Sequence, residues 1–290
     1  MPSLREYNER LASMASMGRV TGTMKLVAGS HLHRVQSDLS KPEGFTRALF
    51  ALADVVKQPR FAKHRFLQPP PEKDSKILVI VMSADRGLCG GFNTAVVRAV
   101  KEFHAKNEAR AAKIDHLYVG QKAYGVLKSE FPGLSKVLPA SSHPDVKDSD
   151  RVAKFVMRLF HWRFYDEVWL ISNHFVNSMT NDCRTERLLP DARPPVPKVK
   201  AEPMPLPENI EPNDERLLEN IVYLWLQLSI YYAMLHSATG ELAARVMAMD
   251  NSTMNLQAMI KDLKTQRNRA RQAAITNELT EIVSGAEALN

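Results

Sequence analysis

From Asn213 to about Ser284 the chain carries no proline, so nothing in that stretch forces a helix to stop. An unbroken α-helix of that span reaches on the order of 100 Å. Within it, Val246, Met249, Thr253, Leu256, Ile260, Leu263, Arg267, Ala270 and Ala274 step alternately by three and four residues. Sustained alternation of this kind is a heptad seam and predicts a coiled coil. Two of its slots are polar and two are alanine, which makes the seam narrow toward its end. A seam needs a partner, and the comparable stripe lies at the other terminus. From Ser3 to about Val56, the residues Leu4, Tyr7, Leu11, Met14, Met17, Val20, Met24, Val27, Val35 and Leu39 recur at mostly helical steps. Pro2 stands where a first turn tolerates it, and Pro42 marks a break. Gly18, Gly22 and Gly29 weaken this helix by about 0.5–1 kcal/mol each and would let another surface approach closely. The two ends are expected to form an intramolecular antiparallel pair, residues 1–56 with 213–290.

Between the two helices, about residues 76–190, strand and helix patterns alternate. KILVIVMSAD (76–85) is an apolar, β-branched run of the kind found in a strand covered on both faces. A helix over Asn93–Glu108 with the asparagine as cap follows. Next come a strand at His116–Val119, a helix near Gln121–Glu130 and a strand at Lys136–Leu138. A helix capped by Asp148 or Ser149 runs through Phe164 and feeds the strand EVWLISNHFV. Such alternation predicts a parallel sheet with helices on its faces, a small doubly wound domain. Residues 191–212 hold so many prolines that they read as an extended connection. The fold class is therefore α/β: a long antiparallel coiled coil with an inserted Rossmann-like domain.

The net charge of +7 admits nucleic acid, an anionic surface or acidic protein partners. No run of about 18 apolar residues exists to span a membrane. The start, MPSLREYNERLASM, carries both charge signs and no apolar signal core, and the two cysteines, Cys89 and Cys183, form no disulfide framework. The expected address is the cytoplasm.

SADRGLCGGFN (83–93) lies between a strand and a helix, where α/β proteins place a ligand loop. It satisfies neither G-x-G-x-x-G nor G-x-x-x-x-G-K-[ST], so the phosphate-loop requirements fail. Cys89 reads as a buried structural thiol rather than a reactive one. His31 and His33 are turned about 200° apart on a helix and read as surface residues. His161, His174 and His236 have no partner spacing, and no metal or hydrolase motif is present. No catalytic residue, metal site or cofactor is expected. Lys261, Lys264, Arg267, Arg269 and Arg271 form a basic band on about three helical turns, without interleaved aromatics to stack bases. Past it, small apolar residues such as Ala273, Ala274 and Ile275 suit a slim helix end running inside a tight sleeve.

RVTGTMKLVAGS (19–30), SADRGLCGGFN (83–93), and ELAARVMAM through RNRARQAAITNELTEIVSGAEAL (241–289) resemble the gamma subunit family of F-type ATP synthases, in order and in distance from the ends. The resemblance implies a non-catalytic rotor shaft with a Rossmann-like domain that binds no nucleotide. Its implied partners are the ring of alpha and beta subunits, the epsilon subunit and the membrane rotor ring of c subunits, with a peripheral position on the cytoplasmic side of the bacterial inner membrane. Arg271, Gln272 and Thr276 match positions that bind the catch loops of beta. Met24 and Arg19 match shaft positions facing the acidic lever region of beta, and Glu211 matches a position at the rotor foot. Gly22 and His31 stand where the family usually has lysines, and Gly29 where it has alanine. Two other classes compete: an α/β nucleotide-binding enzyme, which would need a complete phosphate motif, and a basic coiled-coil protein on nucleic acid, whose affinity would fall steeply with salt. Neither explains why the two ends form one seam.

Overall fold

The computed structural model describes residues 3–40, 64–133, 135–190 and 214–287. They belong to two compact units, Met1–Ala28 with Val246–Asn290, and Gly29–Arg245. Helices α1 (Leu4–Ser40) and α5 (Asp214–Glu287) contribute to both. The remaining elements, all in the second unit, are β1 (Ser75–Met82), α2 (Phe92–Asn107), β2 (Ala111–Val119), α3 (Gln121–Leu127), β3 (Ser135–Leu138), α4 (Val146–His161), β4 (Glu167–Asn177) and β5 (Thr180–Leu189). The expected continuation of the first helix to Val56, the break at Pro42 and the proline-rich connection lie outside the described residues.

In the first unit, α1 opens on a capping box. Ser3 Oγ accepts from the Glu6 amide at 3.2 Å and the Glu6 carboxylate accepts from the Ser3 amide at 2.9 Å, satisfying two otherwise free donors. The helices run antiparallel: Asn8 meets Arg267, Thr21 meets Thr253 at 2.9 Å, and Lys25 binds Asp250 at 2.6 Å. On α5 the expected seam is the covered one. Every residue of it from Val246 to Ala274 is buried or half-buried, while its neighbours beyond Thr253 are exposed. On α1 the expected stripe slips. Met17, Val20 and Val27 are more than half exposed, and Gly18, Thr21, Lys25 and Ala28 are covered instead. A strict heptad runs Leu4, Tyr7, Leu11, Met14, Gly18, Thr21, Lys25, Ala28, and the apolar residues beside it lie outside the seam.

The second unit is built on one five-stranded sheet in the order β3-β2-β1-β4-β5, parallel except that β5 runs antiparallel to β4. β1 is central, which explains its unbroken apolar run. Ile77, Val79 and Val81 pack against Val96, Val100 and Phe103 of α2 and Leu127 of α3. Leu78, Ile80 and Met82 pack on the other face against Val152, Val156 and Phe160 of α4 and Leu218, Val222 and Leu226 of α5. Further along, α5 covers Leu32, Val35 and Leu39 of α1 with Leu235, Ala238 and Leu242.

Several boundaries differ from the sequence expectation. α2 starts at Phe92 and gains no side-chain cap, because Asn93 is spent on the preceding loop. α4 starts at Val146. Asp145 is its cap and shares a capping box with Asp148, which sits in the first turn rather than at the cap. It ends at His161, three residues short of Phe164. β2 begins five residues earlier than expected. β5, TNDCRTERLL, was not expected at all: as an edge strand exposed at half of its positions, it carries the charges that keep such edges from pairing with other chains.

Several buried polar groups are paired across elements. The Glu167 carboxylate, wholly buried at the start of β4, accepts from Ser75 Oγ at 2.7 Å, Trp169 Nε1 at 2.8 Å and the Arg110 guanidinium. Burial alone would raise its pKa, but these donors together hold it below the usual value. Tyr165 OH donates to Asp115 at 2.6 Å. Six histidines form three pairs that no spacing announced. His104 and His116 share a 2.9 Å hydrogen bond, His174 stacks on His236 at 3.7 Å, and His31 faces His143 at 6.3 Å rather than lying on the surface.

Candidate functional site

The loop after β1 occupies the crest where a doubly wound sheet receives ligands, and here the protein fills that place with its own groups. Asp85 accepts from the amides of Gln121 at 3.0 Å and Ala140 at 3.1 Å. Asn93 Oδ1 accepts from the Ala84 amide at 2.9 Å, and Ser83 Oγ from the Ala123 amide at 3.2 Å. The amides of Ala84, Gln121, Ala123 and Ala140 at this crest are thereby engaged within the chain, two of them by the Asp85 carboxylate. Gly120, at φ 103°, lies against the Ser83 carbonyl so closely that a Cβ would sit 2.1 Å from its oxygen. No other residue fits there.

α5 then closes the crevice from outside. Arg245 donates to the Gly87 carbonyl at 3.1 Å and pairs with Glu241 at 2.6 Å. Asn181 donates to the Gly240 carbonyl at 3.2 Å, and Asn173 to that of Phe92 at 3.1 Å. Burial, reinforced by Asp85 and opposed by Arg245, raises the Glu241 pKa. Cys89 packs with Ala84 and Phe92 against Ala244, and burial pushes its thiol up, as a structural cysteine requires. A cavity of about 20 Å³ remains near Ser83, Pro139 and Ser237, room for a water or two and not for a nucleotide. The residues that close the crevice, Arg245, Glu241, Asn173 and Asn181, were not singled out by sequence, since their partners lie up to 158 positions away.

In the first unit the site residues fall into two groups. Arg271, Gln272 and Thr276 lie together on successive turns of α5, all exposed, with Thr276 Oγ1 donating to the Gln272 carbonyl at 2.9 Å. Ile275 among them, and Leu279, Ile282 and Val283 beyond, are also exposed. The second group lies on α1, beside the part of α5 that carries Asp250 and Thr253, roughly 30 Å along the helix from Arg271 at 1.5 Å per residue. There Arg19 is exposed, whereas Met24 is half-buried against the seam. In the basic band only Arg267 turns inward, toward Asn8. Glu211 lies outside the described residues. No group of three metal-ligating side chains and no helix apolar enough to cross a membrane occurs among the described residues.

A two-helix antiparallel shaft joined to a doubly wound domain with a closed ligand crevice defines a class of structural stalk proteins. The ATP synthase family model matches residues 3–289. The chain is 34% identical over 297 residues to the ATP synthase gamma chain of Geobacter metallireducens, covering 100% of this chain and 99% of that one. It is 32% identical over 294 residues to the gamma chain of Geotalea uraniireducens, with coverage of 100% and 99%. A solved central stalk and c-ring structure of Tetrahymena thermophila mitochondrial ATP synthase matches at 27% identity and TM-score 0.58, over 80% of this chain and 98% of that one. A chain of the Euglena gracilis mitochondrial ATP synthase shares the fold, at TM-score 0.70 and 18% identity over 99% and 94%. This chain belongs to the ATP synthase gamma chain family, whose members are stalk subunits and not themselves catalytic.

Proposed function

We propose that this chain is the central rotor stalk of a rotary ATP synthase, coupling ion-driven rotation of a membrane ring of c subunits to conformational change at the catalytic sites of the beta subunits. The observation that carries this reading is the agreement with gamma chains over the full length, together with a C-terminal seam that ends in an exposed apolar tip. In this reading residues 1–56 and 213–290 are the shaft, 76–190 the Rossmann-like domain and 191–212 a connection. Ile275, Leu279 and Ile282 turn in an apolar collar of the alpha–beta ring, and Arg271, Gln272 and Thr276 engage the catch loops of beta. Arg19, with Met24 beside it, faces the acidic lever of beta. Each shaft orientation then favours a different state at each beta site, so rotation changes nucleotide affinity in sequence. The foot grips the c ring with the epsilon subunit, on the cytoplasmic side of a bacterial inner membrane.

Reconstitution with alpha and beta subunits of the same source tests this. One copy per three alpha–beta pairs, with ATP hydrolysis dependent on it, is expected. Absence of a complex with competent alpha and beta would reduce the likeness to fold alone.

A further inference from the structure

The histidine pairs of the second unit differ in what their ring nitrogens are left to do. His104 and His116 spend theirs on each other, Nε2 to Nε2 at 2.9 Å. His174 and His236 stack at 3.7 Å with 26° between their planes, so their in-plane lone pairs run nearly parallel and do not converge within a bond length. His31 and His143 are arranged differently, with ring centres 6.3 Å apart and planes tilted by 59°. His31 Nδ1 and His143 Nε2 are both buried, and neither has a hydrogen-bond partner within the chain. An orphaned nitrogen on each of two neighbouring imidazoles is costly unless something sits between them. Both residues are held in place by their surroundings. His31 lies on α1 one turn before Val35, which is wholly buried with Leu235, Ala238 and Leu242 of α5. His143 lies in the loop between β3 and α4, where its amide donates to Ser141 Oγ at 3.1 Å and the following Pro144 narrows its backbone freedom.

The other nitrogen of His143, Nδ1, stands 3.8 Å from Oδ2 of Asp38, two turns along α1 from His31. A carboxylate there favours the tautomer protonated at Nδ1 and leaves Nε2 its lone pair, the arrangement that metal-ligating histidines use. Two lone pairs can be met by the hydrogens of one water or by a cation, and the charge of Asp38 favours the cation. With metal–nitrogen bonds of about 2.0–2.1 Å, two imidazoles sharing one ion hold their centres about 5–6.5 Å apart, from a tetrahedral to a linear angle. The observed 6.3 Å lies inside that range. We propose that His31 and His143 form a two-histidine site for a divalent transition-metal ion of the zinc, nickel or copper kind, with Asp38 orienting His143 and water completing the coordination. Imidazole nitrogen selects these ions over magnesium and calcium, which prefer oxygen. No group of three metal-ligating side chains occurs among the described residues, so the site is exchangeable rather than a closed structural centre. Its two ligands come from α1 and from the loop before α4, so the ion ties those elements together and binds the folded chain. With free ion at one hundred times Kd, the folded-to-unfolded ratio rises about 100-fold.

The site belongs to the chain alone and does not depend on the stalk reading, so the untagged full chain tests it. Titration with Zn2+ at neutral pH should give one saturable equivalent and a raised urea midpoint. D38N should weaken that binding about 10- to 100-fold, and H31Q and H143Q should each weaken it at least as much, while the metal-free urea midpoint stays close to that of the parent. With Cu2+ as the probe, electron paramagnetic resonance should show two imidazole nitrogens in the parent chain and one in either histidine variant. The parent spectrum needs no substitution, so it decides the matter even where a variant does not fold. Absence of a saturable equivalent overturns the proposal and assigns the two nitrogens to a bridging water. Undiminished affinity in H31Q or H143Q overturns it as well, because the ion then sits on other donors. A copper spectrum showing oxygen ligands alone does the same.

Discussion

Replacing Gly18 and Gly22 by alanine should stabilise the free chain, although both glycines lie on the covered side of α1. A Cβ built at either position meets no atom within 4 Å, so the added methyls clash with nothing. Each glycine inside a helix costs about 0.5–1 kcal/mol relative to alanine, so the double variant gains about 1–2 kcal/mol. The shaft unit need not unfold together with the sheet unit, and a global melting curve would dilute the effect. Native-state hydrogen exchange of the α1 amides reads it directly. A gain of 1–2 kcal/mol slows exchange through local opening roughly 5- to 30-fold. Unchanged or faster exchange would refute the reasoning, because it would mean that the glycines serve a contact within the chain or that α1 is not helical there. The same variant mixed with the catalytic ring separates two roles. Normal assembly leaves the glycines as plain helix weaknesses, whereas loss of assembly in a stabilised chain shows that a partner surface needs the bare backbone.

G120A should cost about 2–4 kcal/mol, read as a lower urea midpoint, because a Cβ would fall 2.1 Å from the Ser83 carbonyl oxygen in a backbone region closed to side chains. R110A strands the buried Glu167 carboxylate and should cost about 2–3 kcal/mol at pH 7, less than a fully buried pair because a third of Arg110 meets solvent. Since the folded pKa of Glu167 is depressed, the stability its ionised form brings is present above its unfolded value and is lost as pH falls through the folded one. The R110A penalty, followed by urea unfolding, should shrink on acidification. His116 is held neutral to about 4, by burial first and by His104 second, so the unfolded chain binds its proton earlier. Stability should therefore fall as pH drops from about 6.5 to 4, by up to about 3 kcal/mol, and H116Q should flatten that slope in urea titrations. R271A with Q272A should weaken binding to the alpha–beta ring by about 1.5–3 kcal/mol while leaving the melting temperature of the free chain unchanged, since both side chains are exposed; an unchanged complex removes them from the catch site.

Legibility in the sequence followed the strength of the physical signal. The α5 seam could be read residue by residue because its positions repeat over four heptads in a stretch without proline, and an error of one position would have broken the alternation. The α1 seam was misplaced over its middle because apolarity is a poor guide where a slot holds Gly18, Thr21 or Lys25. The lysine is covered because Asp250 meets it across the pair, a fact held by the other helix. β5 escaped because an edge strand satisfies its exposed side with water and charge, leaving no apolar alternation to detect. The histidine pairs escaped for a different reason. His174 and His236 lie 62 positions apart, and only the packing of β4 on α5 stacks them. Among the site residues, exposure of Arg271, Gln272 and Thr276 follows from their place off the seam, whereas the half-burial of Met24 does not follow from any pattern in α1.

The closed crest accounts for what the sequence motif left ambiguous. A glycine-bearing loop between a strand and a helix is the local form of a phosphate site, and failure to match a motif does not say what the loop does instead. Here its Asp85, Asn93 and Ser83 side chains accept from the amides of Gln121, Ala140, Ala84 and Ala123, while α5 meets it through Arg245 and Ala244 and meets Asn181 through the Gly240 carbonyl. The sheet therefore holds a helix where a relative of the same topology would hold a ligand. Twisting α5 within this unit would have to break the Arg245–Gly87 and Gly240–Asn181 contacts together, since they bridge the helix to the loop after β1 and to strand β5. A crevice occupied in this way resists torque at its edge.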